Sequence, residues 1–495
     1  MNPALLKGET WGVRGAAVEH IETHAAHVFL AGAYAFKMKK DVKLPYLDFS
    51  TVEKRRAVIN REFEINKPIA PSIYLGVIEV MGEPVLKMNR FDNASLLSRR
   101  LGLGQNGPLL AAKLAAMAAE AHGDAPLRDV PGADIMVGLG AQLSQAFTSS
   151  PDIFAPAETL EFHALYEEAL QRLKPLLNRR TGKGLVRRCH GDMHGGNIVI
   201  IDDRPILFDA VEFSDKIATI DVLYDLAFLL MDLMRHGRRD AANAVLNRYL
   251  HLCRELEDLS GLAALPLFLA TRAGVRALVA ADLVHELAIG KSLKPRGEAL
   301  DYFRASIADL KPPPPVLVCF GGLSGTGKTV LSSAIAPGVG AAPGAIHIRS
   351  DLERKVLAGI TEDGRLPDAA YAPQNAGEVY GVMLERAEHA LRAGHAVVLD
   401  AVFAREAERN GAERLAKQLR LGFKGYWLEA SPSVLKARVS ARQGDASDAT
   451  AEVVGKQLHY DLGPIAWTRV DATGSMDETA VDVRRTLPYP PGGPA

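Results

Sequence analysis

"RCHGDMHGGNIVI", residues 188–200, sets two histidines, an aspartate and an asparagine in front of an apolar run, and its reading decides the first half of the chain. Asp192 and Asn197 stand five apart, and Asp209 follows in ILFDAVEF (206–213) after a short apolar strand-and-turn unit. Phosphoryl transfer needs such a set: a carboxylate to orient and deprotonate the attacking hydroxyl, and hard oxygen ligands to hold Mg2+ on the nucleotide phosphates. Asp192 suits the first role, Asn197 and Asp209 the second. A polar cap beside a buried strand would also gather His, Asp and Asn, but nothing in it would call for a second acid where Asp209 falls. His190 and His194 read as hydrogen-bonding supports of the loop rather than as chemical groups or a metal pair.

A nucleotide site of this type also needs a strand lysine for the phosphates and a helix glutamate to orient it. AYAFKMKKDV (33–42) offers Lys37 and Lys39, which a strand points to the same side. The glutamate comes from STVEKRRAVINREFEINKPIA (50–70), where Ser50 and Glu53 read as a capping box opening a helix. On that helix Glu62 shares a face with Val58, Ile59, Ile65 and Ile69, so it turns inward and calls for a lysine partner, while Glu64 lies with polar neighbours. A solvated basic strand edge is the alternative reading of the lysines. HGDMHGGN resembles the H-G-D-x-H-x-x-N signature of the aminoglycoside phosphotransferase and choline kinase-like families. That resemblance implies a bilobal protein-kinase-like fold, favours Lys37 over Lys39, and implies ATP and Mg2+. The chain departs from the kinase pattern at one point: no G-x-G-x-x-G precedes the lysine strand, and HIETHAAHVFLAG (20–32) stands there instead.

A second, unrelated signature lies in VLVCFGGLSGTGKTVLSSAIA (316–336), an apolar strand, then G-x-x-x-x-G-K-T from Gly322 to Thr329, then a helix. Backbone amides along Ser324, Gly325, Thr326 and Gly327 can curl around phosphate, Lys328 reaches the terminal phosphates and Thr329 meets Mg2+. Further strands end in IRSDLERKVLAG (348–359) and VVLDAVFARE (397–406), which places Asp351, Arg354, Asp400 and Arg405 at the carboxyl edge of a sheet, where ligands of such folds bind. Arg438 and Arg442 are four apart, suited to clamping phosphate from a lid, or else to a solvated helix face. These features resemble small P-loop kinases of the gluconate kinase, polynucleotide kinase and zeta-toxin group. The resemblance implies that Asp351 activates the acceptor, a role compatible with capping its helix, and that Asp400 serves magnesium or positions substrate.

The 495 residues call for more than one core. Four prolines, Pro312–Pro315, mark a boundary between residues 1–311 and 312–495. The first part divides into a small mixed lobe (about 1–93) and a helical lobe (about 94–311); the second alternates apolar strands with helices, the pattern of a parallel α/β sheet. The fold class is thus α+β joined to α/β. LPYPPGGPA (487–495) reads as lacking regular structure. A net charge of -1 and the absence of aromatic-interleaved basic patches argue against nucleic acid as partner. No signal core appears, the most apolar helix is interrupted by Arg272 and Arg276, and Cys189, Cys253 and Cys319 have no pairing pattern, which fits a cytoplasmic protein off the membrane. Nearly the whole chain resembles the bacterial fusion described as a bifunctional aminoglycoside phosphotransferase and ATP-binding protein. The expected function is an ATP- and Mg-dependent phosphotransferase with two sites, acting on hydroxyl groups of a small sugar, amino sugar or amino alcohol. The alternatives are one active P-loop kinase with a degenerate kinase-like regulatory domain, or an end kinase acting on nucleic acid. The oligomeric state is not legible.

Overall fold

The computed structural model describes residues 2–23, 25–44, 47–101, 107–286, 293–362, 364–367, 373–441 and 449–487. Arg442 and the tail from 488 onward, both read from the sequence, lie outside these. The chain forms two compact units, one of Met1–Ile135 with Asn178–His236, the other of Met136–Leu177 with Gly237–Ala495.

The first unit contains a five-stranded antiparallel sheet in the spatial order Val18–Glu22, Ala26–Ala31, Tyr34–Lys39, Glu83–Asn89, Tyr74–Val80. Alternation along these strands buries Phe29, Phe36 and Val85 on one face, where the indole of Trp11 stacks on Phe29 and Phe36 at 4.9 and 4.7 Å. The other face receives the helix Val52–Ile69 through Ile59, Ile73, Tyr74 and Leu86. This helix starts one residue later than the capping box predicts. Thr51 is the cap, accepting the Lys54 N–H at 3.3 Å, because the Ser50 hydroxyl instead donates to Asp48 Oδ1 at 2.6 Å. The unit continues with the helix Gly107–Asp124, two short antiparallel ladders, the hairpin Ile198–Ile201 with Arg204–Leu207 and the non-local pair Val186–Arg188 with Thr219–Asp221, and the almost wholly buried helix Val222–Arg235.

The second unit joins helices to a parallel sheet. Arg239–Cys253, Leu265–Glu286 and Leu293–Asp309 are helical, and Phe147, Phe154, Phe162 and Phe303 meet edge to face or tilted at 4.7–6.2 Å. Among the described residues one helical stretch, 256–285, is long and apolar enough to cross a membrane, and 67% of its most apolar window is buried inside the protein, as a core helix would be. The prolines carry no regular structure and lead from Asp309 into the strand Val316–Gly322. That strand is central in a five-stranded parallel sheet of order Ile346–Arg349, Val397–Asp400, Val316–Gly322, Gly422–Glu429, Thr468–Asp471. The fifth strand, polar and mostly exposed, lacks the apolar run that announces the other four.

Candidate active sites

In the first unit the lysine strand Tyr34–Lys39 and the helix Val52–Ile69 bring Lys37 and Lys39 onto one carboxylate. Lys37 Nζ lies 2.7 Å from Glu62 Oε1 and 2.7 Å from Asp209 Oδ1. Lys39 Nζ lies 2.8 Å from Glu62 Oε2 and 2.6 Å from Glu212 Oε1. Glu62 is wholly buried, whereas Glu64 is exposed. Burial pushes the Glu62 carboxyl up, but Lys37 and Lys39 outweigh it and hold the group down at about 2. Burial likewise pulls the Lys37 ammonium down, yet Asp209, Glu62 and Glu212 raise it well above its ordinary value. The two lysines, equivalent by strand alternation, therefore differ in their second partner: Lys37 reaches Asp209, and Lys39 is closed off by Glu212.

That difference makes a prediction. Lys37→Ala is expected to weaken Mg-ATP binding by about one to two orders of magnitude, the worth of a lost charge-assisted contact, while Tm stays close to wild type because Lys39 still faces Glu62. Lys39→Ala leaves Glu62 with Lys37 but takes from the nearly buried Glu212 carboxylate the cation it pairs with, and should cost about 3–5 kcal/mol of stability. Calorimetry of both variants decides; equal Tm losses, or a larger affinity loss in Lys39→Ala, would reverse the assignment.

The loop carrying Asp192 is hung from the buried helix Val222–Arg235. Asp225 Oδ2 and Oδ1 accept the N–H groups of His190 and Gly191 at 3.1 and 3.0 Å, and Asp232 Oδ2 accepts that of Gly195 at 2.8 Å. Gly191 sits at φ 85°, where a side chain would be strained. His190 Nδ1 accepts the Asp192 N–H at 3.3 Å and its Nε2 donates to Phe208 O at 3.0 Å, so the ring spans the loop and the Asp209 hairpin. His194 Nδ1 accepts the Gly196 N–H at 3.0 Å, and its Nε2 lies 3.4 Å from Asp192 Oδ2. Asn197 Nδ2 donates to Asp192 Oδ2 at 2.7 Å. Asp209, left-handed at φ 62°, is fixed through its N–H to Tyr74 Oη at 3.0 Å, and Ala210 N–H donates to Asn66 Oδ1 at 2.8 Å. Asn66 in turn donates to Glu62 O at 3.0 Å, which joins the glutamate helix to the Asp209 loop. Where a glycine loop would cover phosphates, the ends of the strands Val18–Glu22 and Ala26–Ala31 are joined by Thr23 N–H donating to Ala26 O at 2.9 Å and Ala26 N–H to Thr23 Oγ1 at 3.0 Å.

In the second unit the turn after Val316–Gly322 needs its glycines. Gly322, Gly325 and Gly327 have φ of 142°, 88° and 86°, and a Cβ on Gly325 would meet Leu435 O at 2.6 Å. The helix Lys328–Ile335 begins at once. Thr329 Oγ1 donates to Asp400 Oδ2 at 2.7 Å, Lys328 Nζ to Leu323 O at 3.1 Å, and Ser324 N–H to Gln457 Oε1 at 2.8 Å. Thr326 Oγ1 donates to Leu323 O at 2.8 Å. Burial pushes the Asp400 carboxyl up, but His347, Arg349 and Lys328 overcome this and hold it down at about 2. His347 Nε2 and Arg349 Nε stand 3.6 and 3.9 Å from Asp400 Oδ2.

The remaining sequence-read residues divide. Asp351 and Arg354 lie on the helix Ser350–Leu357, with Asp351 in its first turn behind the cap residue Arg349. Arg405 precedes the helix Glu406–Leu419 and donates its N–H to Glu408 Oε2 at 3.1 Å. Arg438 spends its guanidinium on backbone carbonyls, Ala472 at 2.7 Å and Gly474 at 2.9 Å, which ties its helix to the segment before Met476–Thr486. Sequence reasoning missed Asp225 and Asp232, although two acids seven apart in the otherwise apolar run 222–233 call for buried partners. It also missed Glu212, His347 and Arg349, which carry no signal until the hairpin and the sheet register are known.

Residues 103–265 match the model of the phosphotransferase enzyme family, and residues 317–460 that of an AAA domain. An uncharacterized protein of Mycobacterium tuberculosis (strain ATCC 25618 / H37Rv) is 29% identical over 480 residues, covering 92% of this chain and 93% of that protein. Among solved structures, a gluconokinase from Sinorhizobium meliloti 1021 is 24% identical, covering 34% of this chain and 89% of its own, at a TM-score of 0.24. A choline kinase from Cryptosporidium parvum Iowa II is 12% identical, covering 60% and 89%, at a TM-score of 0.40.

Proposed function

We propose, for a kinase-type enzyme whose residues 103–265 match a phosphotransferase family and whose residues 317–460 match an AAA domain, that both halves of the chain transfer phosphate from ATP to a hydroxyl group of a small metabolite. The acceptor class is a sugar, an amino sugar or an amino alcohol. The observation that carries the reading is that each half of the chain, 1–311 and 312–495, assembles a cation for phosphate and an oxygen pair for a hard metal: Lys37 on Asp209, with Asn197 on the adjoining loop where its main-chain carbonyl accepts the Phe208 N–H, and Lys328 with Thr329 and Asp400. Such donors fit magnesium, which when bound neutralises charge on the phosphates.

In the amino-terminal site Asp192 accepts the proton of the acceptor hydroxyl, whose oxygen takes the terminal phosphoryl group as ADP leaves. Asn197 orients that carboxylate through its Nδ2, which leaves its oxygen for the metal. Lys37 turns from Asp209 to the phosphates while Lys39 keeps Glu62 compensated. In the carboxy-terminal site the amides of the glycine turn and Lys328 would hold the phosphates, Thr329 and Asp400 would hold magnesium, and Asp351 would serve as base. We place the functional boundary at the prolines, so that 1–311 and 312–495 each carry one site; one family match lies wholly before it and the other wholly after it. The chain is taken to act in the cytoplasm.

A second reading, in which the amino-terminal segment binds nucleotide only as a regulator, is favoured by the sequence HIETHAAHVFLAG standing where a G-x-G-x-x-G loop would precede the lysine strand. A screen of hydroxyl-bearing metabolites for ATP-dependent mass gain, run with wild type, Asp192→Asn and Lys328→Ala, separates the readings. Two acceptors, each lost in one variant, support the double enzyme; phosphorylation lost only in Lys328→Ala supports the regulator.

A further inference from the structure

The edge strand of the parallel sheet, Ile346–Arg349, pairs on one side only, with Val397–Asp400. Ile346 N–H points inward, donating to Ala396 O at 2.8 Å, so the main-chain groups of Ala345 and His347 point away from the sheet. The Ala345 carbonyl and the His347 amide are captured by side chains of the helix Arg239–Cys253. Asn243 Nδ2 donates to Ala345 O at 3.0 Å and Asn247 Nδ2 to the same oxygen at 3.2 Å, while His347 N–H donates to Asn247 Oδ1 at 2.7 Å. Asn247 Nδ2 also donates to Asn243 O at 3.0 Å and Oδ1 at 3.1 Å. The two asparagines are four apart on one helical face and act as a short surrogate strand.

The strand they grip is the one that sets the metal-side carboxylate. His347 and Arg349, two apart and therefore on one face of the strand, are the groups beside Asp400 Oδ2, and that same oxygen accepts the Thr329 hydroxyl. A sideways or lengthwise shift of so short an edge strand moves the His347 and Arg349 side chains relative to Asp400. The gripping helix lies within residues 103–265, the phosphotransferase-family segment, whereas the strand lies in the P-loop segment.

We infer that Asn247, supported by Asn243, is a positioning residue for the P-loop magnesium site, so that one family segment tunes the metal dependence of the other. The inference rests on the proposed reading of Thr329 and Asp400 as that site. It is tested by titrating full-length protein with a fluorescent non-hydrolysable ATP analogue, in a Lys37→Ala background, across a magnesium series and in EDTA. Asn247→Ala is expected to raise the magnesium concentration at half-saturation by about fivefold to tenfold, the worth of one buried hydrogen bond, with affinity in EDTA within about twofold of the background. Asn243→Ala, which leaves the His347 contact in place, should shift it in the same direction by less. Arg248→Ala breaks an ion pair from the same helix to Glu362 and should lower Tm without moving the magnesium value. An unchanged magnesium value in both asparagine variants, or an equal shift in Arg248→Ala, overturns the inference. If the background itself shows no analogue binding that Lys328→Ala removes, the P-loop reading falls and the inference falls with it.

Discussion

Asp192→Asn is expected to lower phosphorylation by the amino-terminal site about two to four orders of magnitude, the usual cost of removing a general base. The substitution suits the question because it is nearly isosteric. Asn197 Nδ2 can still donate to the amide oxygen that takes the place of the carboxylate, and the backbone contacts of the loop to His190, Asp225 and Asp232 do not involve the Asp192 side chain. Thermal stability should therefore remain at the wild-type value while turnover collapses. The measurement belongs in a Lys328→Ala background, so that phosphate transferred by the other site does not mask the loss. Undiminished turnover there would remove Asp192 from the mechanism.

Lys328→Ala should abolish nucleotide binding at the carboxy-terminal site and leave one equivalent of a non-hydrolysable ATP analogue per chain, where wild type binds two. The lysine meets the terminal phosphates in the proposed complex, and the positive-φ glycines around it build a cradle that has no other ammonium group in its sequence. Lys37, Glu62 and Asp209 form a separate set in a different compact unit, so their equivalent should persist at unchanged affinity. Isothermal titration of both proteins reads the count directly. One equivalent in wild type and none in the variant would make the amino-terminal segment a nucleotide-free remnant.

Legibility followed the range of the interactions. The G-K-T turn and the Asp192–Asn197 spacing are local, so glycine freedom and loop length reveal them in one dimension. The inward turn of Glu62 was legible from helical periodicity, since a buried carboxylate must find a cation. Its sharing between Lys37 and Lys39 was not, because Glu212 enters only through the irregular loop that follows Asp209. Arg438 shows what helical spacing leaves out. Helical spacing put Arg438 on a usable face, but three carbonyls at residues 472–474, remote in sequence, claim its guanidinium. Likewise, the helix start moved from Ser50 to Thr51 because Asp48 competed for the Ser50 hydroxyl, a contest that capping rules do not weigh.

The paired asparagines of the helix Arg239–Cys253 bear on how the chain can be cut. A fragment beginning at the prolines would carry the strand Ile346–Arg349 with its outer amide and carbonyl bare, a template on which strands of other molecules can add. Such a fragment should precipitate or form oligomers on concentration, and its loss of activity would then say nothing about its chemistry. A fragment that begins near Gly237 keeps the helix and the cover it provides. Light scattering of the two fragments, matched in concentration, would show the longer one staying monodisperse and the shorter one growing with time.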